Sequence, residues 1–289
     1  MKKKRPIINI LNDLSLKPYS NLGIGGSART ILIPESEEDF VQTAIENPLI
    51  PLIAGGSNTL IADKLFDQIF LLKNPFYEPR FLSGNILEVS APQKIPALTT
   101  FFKQNNLSGI EFMAGVPRVS FGGAIYQNFG AFDKKIENII ISVKALANNK
   151  IITLSKDECG FAYRSSIFKK NNYKIISAQM HYTKGDSSRF TEDIEKIINF
   201  RKKHQPLKFP NIGSIFKNPQ GCYAGKLIED LGLRGFSIGG AQIWEHHANF
   251  IINKNNATYN DVIELIETIQ KKSKKRYNIL LEPEISILR

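Results

Sequence analysis

Glycine-rich segments carry the first chemistry legible in this chain: Gly23-Ile24-Gly25-Gly26-Ser27, Gly55-Gly56-Ser57-Asn58 and Phe121-Gly122-Gly123-Ala124. Loops that hold phosphate need backbone N–H groups free to converge, so glycine and small residues dominate them. Two of the segments follow strand-like runs, which points to a large ligand with a diphosphate. Gly55-Gly56-Ser57-Asn58 is the strongest. Its glycines permit positive φ, and Ser57 and Asn58 add short hydrogen-bonding side chains. None of the segments spells G-x-G-x-x-G, which excludes a Rossmann-type dinucleotide fingerprint. Gly221–Lys226 imitates a P-loop, but it is one residue short and Leu227 stands where a magnesium-holding Ser or Thr belongs.

The stretch PNIGSIFKNP, 210–219, sets a lone hydroxyl, Ser214, behind Gly213 and follows it with Lys217, Asn218 and Pro219. By itself Gly-Ser reads as a turn. A cation and an amide close to a hydroxyl also suit a working site, and these residues leave both readings open. His246 and His247 raise the question of a metal. No cysteine lies nearby and there is no H-E-x-x-H pattern, so no metal site is expected. The two cysteines, Cys159 and Cys222, make neither a disulfide framework nor a zinc set. A reducing compartment follows.

These residues need elements to hold them. Short β-branched runs at Thr30–Pro34, Leu49–Ala54, Ile69–Lys73, Ile86–Ser90, Ile139–Ala147 and Ile175–Tyr182 read as strands. Ser36 can cap a helix over Glu37–Glu46, and Pro96–Asn106 has helical spacing. A polar, glycine-containing stretch at Lys184–Ser188 reads as a linker. A helix from Thr191 follows it, with Ile194, Ile197, Ile198 and Arg201 on one stripe. Thr258 and Asp261 form a capping-box start, and Val262, Leu265, Ile266 and Ile269 form an apolar helix face. In the closing ILLEPEISILR, Glu284 and Ser286 alternate with Ile285 and Ile287, and Pro283 implies an edge or bulged strand. The expected architecture is α+β in two blocks, 1–185 and 186–289.

The chain has 289 residues, 42% of them hydrophobic and 22% charged, which fits a soluble globular protein with a sizeable core. Its formal net charge of +11 suits anionic partners. The runs Lys2–Arg5 and Lys271–Arg276 carry much of it, the latter at a helix C-terminus where cations offset the dipole. Asn9, Asn12 and Asp13 interrupt the apolar stretch at the N-terminus, a poor signal peptide. No run approaches the ~20 apolar residues of a membrane helix. A cytoplasmic protein without membrane insertion is expected. A nucleic-acid-binding reading rests on charge alone, with no recognised motif and scattered aromatics, so no nucleic acid is expected.

Taken in order, the motifs resemble the UDP-N-acetylenolpyruvoylglucosamine reductase (MurB) family over nearly the whole chain. They begin with Tyr19-Ser-Asn-Leu-Gly-Ile-Gly25-Gly26-Ser-Ala28 and Gly55-Gly56-Ser57-Asn58. Leu107-Ser-Gly109-Ile-Glu111-Phe-Met-Ala-Gly115-Val-Pro117 and Phe161-Ala-Tyr163-Arg164-Ser165-Ser166 follow. Gln205-Pro206, Gly213-Ser214-Ile-Phe216-Lys217-Asn218-Pro219 and Ala224-Gly225-Lys226-Leu227-Ile228-Glu229 come next. Gly239-Gly240-Ala241-Gln242, His247-Ala248 and Leu281-Glu282-Pro283-Glu284 complete the set.

The resemblance implies an FAD-binding domain of PCMH (vanillyl-alcohol-oxidase-like) type over 1–185, in two subdomains, about 1–75 and 76–185. A substrate-binding domain over 186–289 follows, its last strand returning to the FAD domain. It implies that NADPH reduces FAD, and that flavin N5 passes hydride to an enolpyruvyl ether on a UDP-sugar, giving UDP-N-acetylmuramate. Hydride addition leaves charge on the α-carbon and its carboxylate. Arg164 suits that charge with a bidentate guanidinium. Glu284 suits the developing enol as a protonated acid, which burial would require. The family makes Ser214 the proton donor. The same resemblance implies cofactor contacts at Gly55, Gly56, Ser57, Asn58, Gly115, Gly122, Gly123 and Ala124. It implies substrate contacts at Tyr163, Lys217, Asn218 and His247, and Lys226 is a further candidate for the diphosphate. A monomer of the shorter family type, without the extra substrate-covering loop, is expected. Two segments depart from the pattern: Arg118 replaces a glycine in a longer loop, and Ala91-Pro92-Gln93-Lys94 replaces Ala-Gly-Ala-Gly. Arg118 is therefore a candidate partner for the FAD diphosphate. Another flavin oxidase or dehydrogenase on the same fold is the alternative.

Overall fold

The computed structural model describes residues 8–289, so the basic run at Lys2–Arg5 lies outside it. The secondary structure is α+β, as expected. Two compact units divide it. One holds 8–11, Ile31–Gly55 and Gln68–Ile198; the other holds Asn12–Thr30, Gly56–Asp67 and Asn199–Arg289.

In the first unit, a five-stranded antiparallel sheet runs Lys150–Ser155, Ile140–Ala147, Lys174–His181, Ile86–Ser90, Arg80–Leu82. Apolar residues of its central strands (Leu87, Val89, Val143, Met180) pack with Leu98, Phe102, Phe121 and Phe168 into one core. The helix Glu37–Glu46 forms where its cap predicts. Ser36 Oγ accepts the Asp39 N–H at 3.1 Å, and Glu37, Glu38 and Asp39 occupy the first turn, where the dipole favours acids. Phe40 and Ala44 then bury against Phe70 and Leu72. The helix read as Pro96–Asn106 is Ile95–Gln104.

The strand expected over Leu49–Ala54 shrinks to Leu52–Ile53, paired in parallel with Phe70 and Leu71. Pro51 has no N–H to donate, so the ladder cannot extend through it. The expected linker at Lys184–Ser188 is a direct strand-to-helix turn. Lys184 ends the strand Thr183–Lys184, and the helix begins at Ser187 instead of Thr191 and runs to His204. Asp186 Oδ1 accepts the Ser188 N–H at 2.8 Å, which secures the earlier start.

In the second unit, a four-stranded sheet runs Asn211–Ser214, Phe250–Asn253, Ala241–Ile243, Ser237–Ile238. The helix Tyr259–Tyr277 opens with the predicted capping box. Thr258 Oγ1 accepts the Asp261 N–H at 3.2 Å, and Asp261 Oδ2 accepts the Thr258 N–H at 2.9 Å. The Asp261 carboxyl also accepts the Gly240 N–H at 3.0 Å. These donors, the Thr258 N–H foremost, hold its pKa below the usual carboxylate range. The predicted face of Val262, Leu265, Ile266 and Ile269 is buried, and Lys274, Lys275 and Arg276 occupy the last turn.

A cut near residue 185 divides the chain along its length, whereas the compact units interleave. Leu22, Ile24 and Leu60 share one apolar core with Ile212, Phe216, Ile251 and Leu265. The last strand, Ser286–Leu288, pairs in parallel with Thr59–Ile61. Hydrophobic period marks which face of a segment is buried, not which distant segment buries it.

Candidate active site

Ser214 ends the strand Asn211–Ser214, which pairs with Phe250–Asn253 through Asn211↔Ile252 and Ser214↔Phe250. The step from 211 to 214 spans one residue more than the facing step, so the strand bulges. Gly213 lies in the bulge at φ +81°, and a Cβ there would meet nothing within 4 Å. Within the protein the glycine therefore supplies a backbone angle, with no neighbouring atom that a side chain would meet. Asn211 Oδ1 accepts the Gly213 N–H at 3.0 Å, holding the bulge. Bulges re-aim the side chains that follow them, and here the next residue is the half-buried Ser214.

Past the bulge the chain meets the C-terminal segment. The Glu284 N–H donates to Ile215 O at 2.7 Å and the Lys217 N–H to Glu282 O at 2.9 Å, with Phe216 bridged to Pro283. This brings the Ser214 and Glu284 segments side by side. The glycine loop joins them. Asn58 Nδ2 donates to Glu284 O at 3.4 Å, and the Ser286 N–H donates to Asn58 O at 2.9 Å. Asn21 closes the set, its N–H on Gly56 O at 2.9 Å and its amide on Asn211 O at 2.6 Å.

The remaining second-unit candidates are held as follows. The Lys217 ammonium pairs with Glu282 Oε1 at 2.5 Å, so its charge already has a carboxylate. Asn218 is exposed, and its Oδ1 accepts the Ala224 N–H at 3.0 Å, tying the loop to the helix Ala224–Asp230. His247 is half-buried, and burial, first among several influences, lowers its pKa. Its Nδ1 accepts the Asn249 N–H at 3.3 Å, so the neutral ring carries its proton on Nε2. Lys226 is exposed and pairs with Asp230 at 2.8 Å. Gly239 and Gly240 serve packing: a Cβ would lie 2.4 Å from the Asp261 carboxyl at the first and 2.1 Å from Asn255 O at the second.

In the first unit, Tyr163 and Arg164 form the tip of a tight turn closed by Ala162 and Ser165, which exchange backbone hydrogen bonds at 3.0 and 3.1 Å. Arg164 adopts φ +54°, a left-handed conformation unusual for an arginine. Its Nη2 donates to Gly130 O at 3.0 Å and its guanidinium lies 5.4 Å from the Tyr163 ring. Tyr163 is half exposed. Below the turn, Asn128 Nδ2 donates to Ala162 O at 3.0 Å and Ser166 Oγ to Tyr126 O at 2.8 Å.

The other expected cofactor loops of this unit lie close together. A Cβ on Gly55 would stand 2.0 Å from Arg118 O, and one on Gly122 would stand 2.7 Å from Ala91 Cβ. Gly115 takes φ +73°, Ser120 Oγ accepts the Gly123 N–H at 3.1 Å, and Ala124 is buried. The 93–95 and 119–121 segments exchange backbone hydrogen bonds, Ile95 N–H to Val119 O and Phe121 N–H to Gln93 O, both 2.8 Å. The two departures from the family pattern thus meet. Burial, reinforced by the Arg118 charge, pushes the Lys94 ammonium down to about 8. Ser90 Oγ and Gln93 Oε1 are buried with no hydrogen-bond partner among the described residues. Unpaired buried polar atoms are costly, and a cofactor bearing hydroxyl or N–H donors would satisfy both. Substituting Arg118→Ala is expected to weaken FAD retention several-fold on gel filtration in moderate salt. Retention equal to the parent's would refute a cofactor role for Arg118.

Sequence reasoning gave Asn21, Asn211 and Asn249 no role of their own, although the first two lie inside stretches it singled out, 19–28 and 210–219. Among the described residues no cluster of three or more His, Cys, Asp or Glu could hold a metal, and no helix is long and apolar enough to cross a membrane.

Comparison with known proteins follows the same lines. A family model for the C-terminal domain of UDP-N-acetylenolpyruvoylglucosamine reductase matches residues 205–288. The chain is 35% identical over 284 residues to the UDP-N-acetylenolpyruvoylglucosamine reductase of Clostridium botulinum (strain Alaska E43 / Type E3), covering 96% of this chain and 93% of that protein. It is 34% identical over 286 residues to the same-named protein of Fusobacterium nucleatum, covering 98% and 100%. The crystal structure of the reductase (MurB) from Thermus caldophilus superposes with a TM-score of 0.80 at 26% identity, over 98% of this chain and 100% of that one. With identity at this level sustained from end to end, the chain belongs to the UDP-N-acetylenolpyruvoylglucosamine reductase (MurB) family of oxidoreductases.

Proposed function

We propose that this chain is the FAD-dependent, NADPH-using reductase that converts UDP-N-acetylenolpyruvoylglucosamine to UDP-N-acetylmuramate, a step of peptidoglycan precursor synthesis in the cytoplasm. The observation that carries the reading is the pairing of the Ser214 segment with the Glu284 segment. It sets a serine and a glutamate on adjoining backbone segments of one unit, tied to the glycine loop through Asn58.

When bound, FAD would supply hydride chemistry, its reducing equivalents coming from NADPH, with the methylene carbon of the enolpyruvyl group as acceptor. The electron pair of the carbon–carbon double bond then builds up on the α-carbon and its carboxylate. Arg164 meets that carboxylate, where a fixed positive charge counts most as charge grows. The Glu284 carboxyl hydrogen-bonds the developing enol. Ser214 gives its proton to the α-carbon, completing the lactyl ether, and the alkoxide is reprotonated from solvent. A serine hydroxyl is a weak acid, so it serves only a strongly basic carbon held in contact with it. Tyr163, Asn218 and His247 bind the UDP-sugar, His247 through its Nε2–H. Lys217, screened by Glu282 here, exchanges that partner for substrate. Gly55, Gly56, Ser57, Asn58, Gly115, Gly122, Gly123 and Ala124 would hold FAD. The FAD-binding role is assigned to 1–185, the substrate-binding role to 186–289.

Anaerobic half-reactions test the reading. NADPH should bleach the bound flavin, and the enolpyruvyl sugar nucleotide should then restore its colour. Bleaching without recovery until oxygen is admitted would point to an oxidase or dehydrogenase instead. A colourless protein that binds DNA with a steep salt slope would overturn the flavoenzyme reading altogether.

A further inference from the structure

We infer that Asn249 is a positioning residue for proton delivery, acting through the backbone that follows Ser214. This rests on Ser214 being the proton donor. The ladder resumes after the bulge at Ser214↔Phe250 and ends there, because the facing strand starts at Phe250, so the next residues need other partners on that side. Asn249 provides them. Its main-chain O accepts the Ile215 N–H at 2.9 Å. Its side-chain Oδ1 accepts the Phe216 N–H at 2.9 Å, and its Nδ2 donates to Phe216 O at 2.8 Å. The side-chain amide thus does for Phe216 what a neighbouring strand would do, satisfying both of its main-chain groups. An amide carries donor and acceptor on one short planar head, and this one is 4% exposed. The Asn249 N–H also donates to His247 Nδ1, so one residue orients both the serine segment and the histidine ring. On the far side, the Glu284 N–H on Ile215 O completes the clamp.

A hydroxyl that must contact a reacting carbon tolerates little drift, since a misplacement of about 1 Å costs on the order of 10²-fold in rate. Loosening the clamp should therefore slow the proton-dependent half-reaction and spare the other. The test uses the full-length holoenzyme with Asn249→Asp, which is isosteric, and Asn249→Ala. FAD content and NADPH-driven bleaching should stay within about twofold of the parent, while reoxidation by the enolpyruvyl sugar nucleotide falls about 10²-fold, in kcat more than in KM. A second readout separates positioning from mere scaffolding: adding Asn249→Asp to Ser214→Ala should bring almost no further loss, because both changes act through one hydroxyl.

Normal reoxidation in an FAD-loaded variant would overturn the proposal. So would parallel loss of both half-reactions and of FAD in both variants, or full additivity on the Ser214→Ala background. If Ser214→Ala by itself retains substrate-driven reoxidation, the donor assignment fails, a result distinct from any failure of Asn249.

Discussion

Ser214→Ala is expected to leave NADPH bleaching of the flavin intact and to slow reoxidation by the enolpyruvyl sugar nucleotide by about 10²–10⁴-fold, the usual contribution of a positioned general acid. The removed hydroxyl sits one residue past a bulge held by the Asn211 side chain, with the Glu284 segment bonded to Ile215 next to it. The substitution removes one oxygen and none of the backbone bonds that shape the segment. Hydride leaving NADPH needs no proton from this position, so the first half-reaction should not register the change. Rapid-mixing absorbance at the flavin band, with and without substrate, separates the two steps. Loss of both steps together would leave the donor role unsupported.

Gly56→Ala should have the largest effect on stability. Gly56 takes φ +61°, and a Cβ there would lie 1.9 Å from Tyr19 O. The angle costs a non-glycine residue about 1–2 kcal/mol, and forcing the backbone apart costs about 1–3 kcal/mol more. The carbonyl has little freedom to retreat, because the Asn21 N–H two residues on is bonded to Gly56 O. A loss of about 3 kcal/mol should lower the melting temperature by roughly 6–12 °C at this size. Gly213→Ala is the matched control. It meets the same kind of angle, φ +81°, but open space, and should lose only the angular part. Calorimetric melting of both variants decides the matter, and equal losses would show that the Tyr19 contact exerts no constraint.

The helix starts at Ser36 and Thr258, the apolar face of Val262, Leu265, Ile266 and Ile269, and the strand Ile86–Ser90 were all legible along the chain. Their causes are local: a cap three residues from its donor, a period of 3.6 or 2. Family membership was legible for a related reason, since its motifs are runs of neighbouring residues. The site was legible only as a set of residue types. That Gly213 serves a bulge, that Lys217 is committed to Glu282, and that Asn249 stands in for a strand are facts about segments far apart in sequence.

The sequence by itself therefore determined the helix caps and the buried faces. Only the tertiary structure decided that 12–30 and 56–67 share a core with 199–289, and which strand lies beside Ser214. Propensity and capping act over a few residues, whereas strand pairing and core sharing depend on where the whole chain has carried each segment, which no short window of sequence encodes.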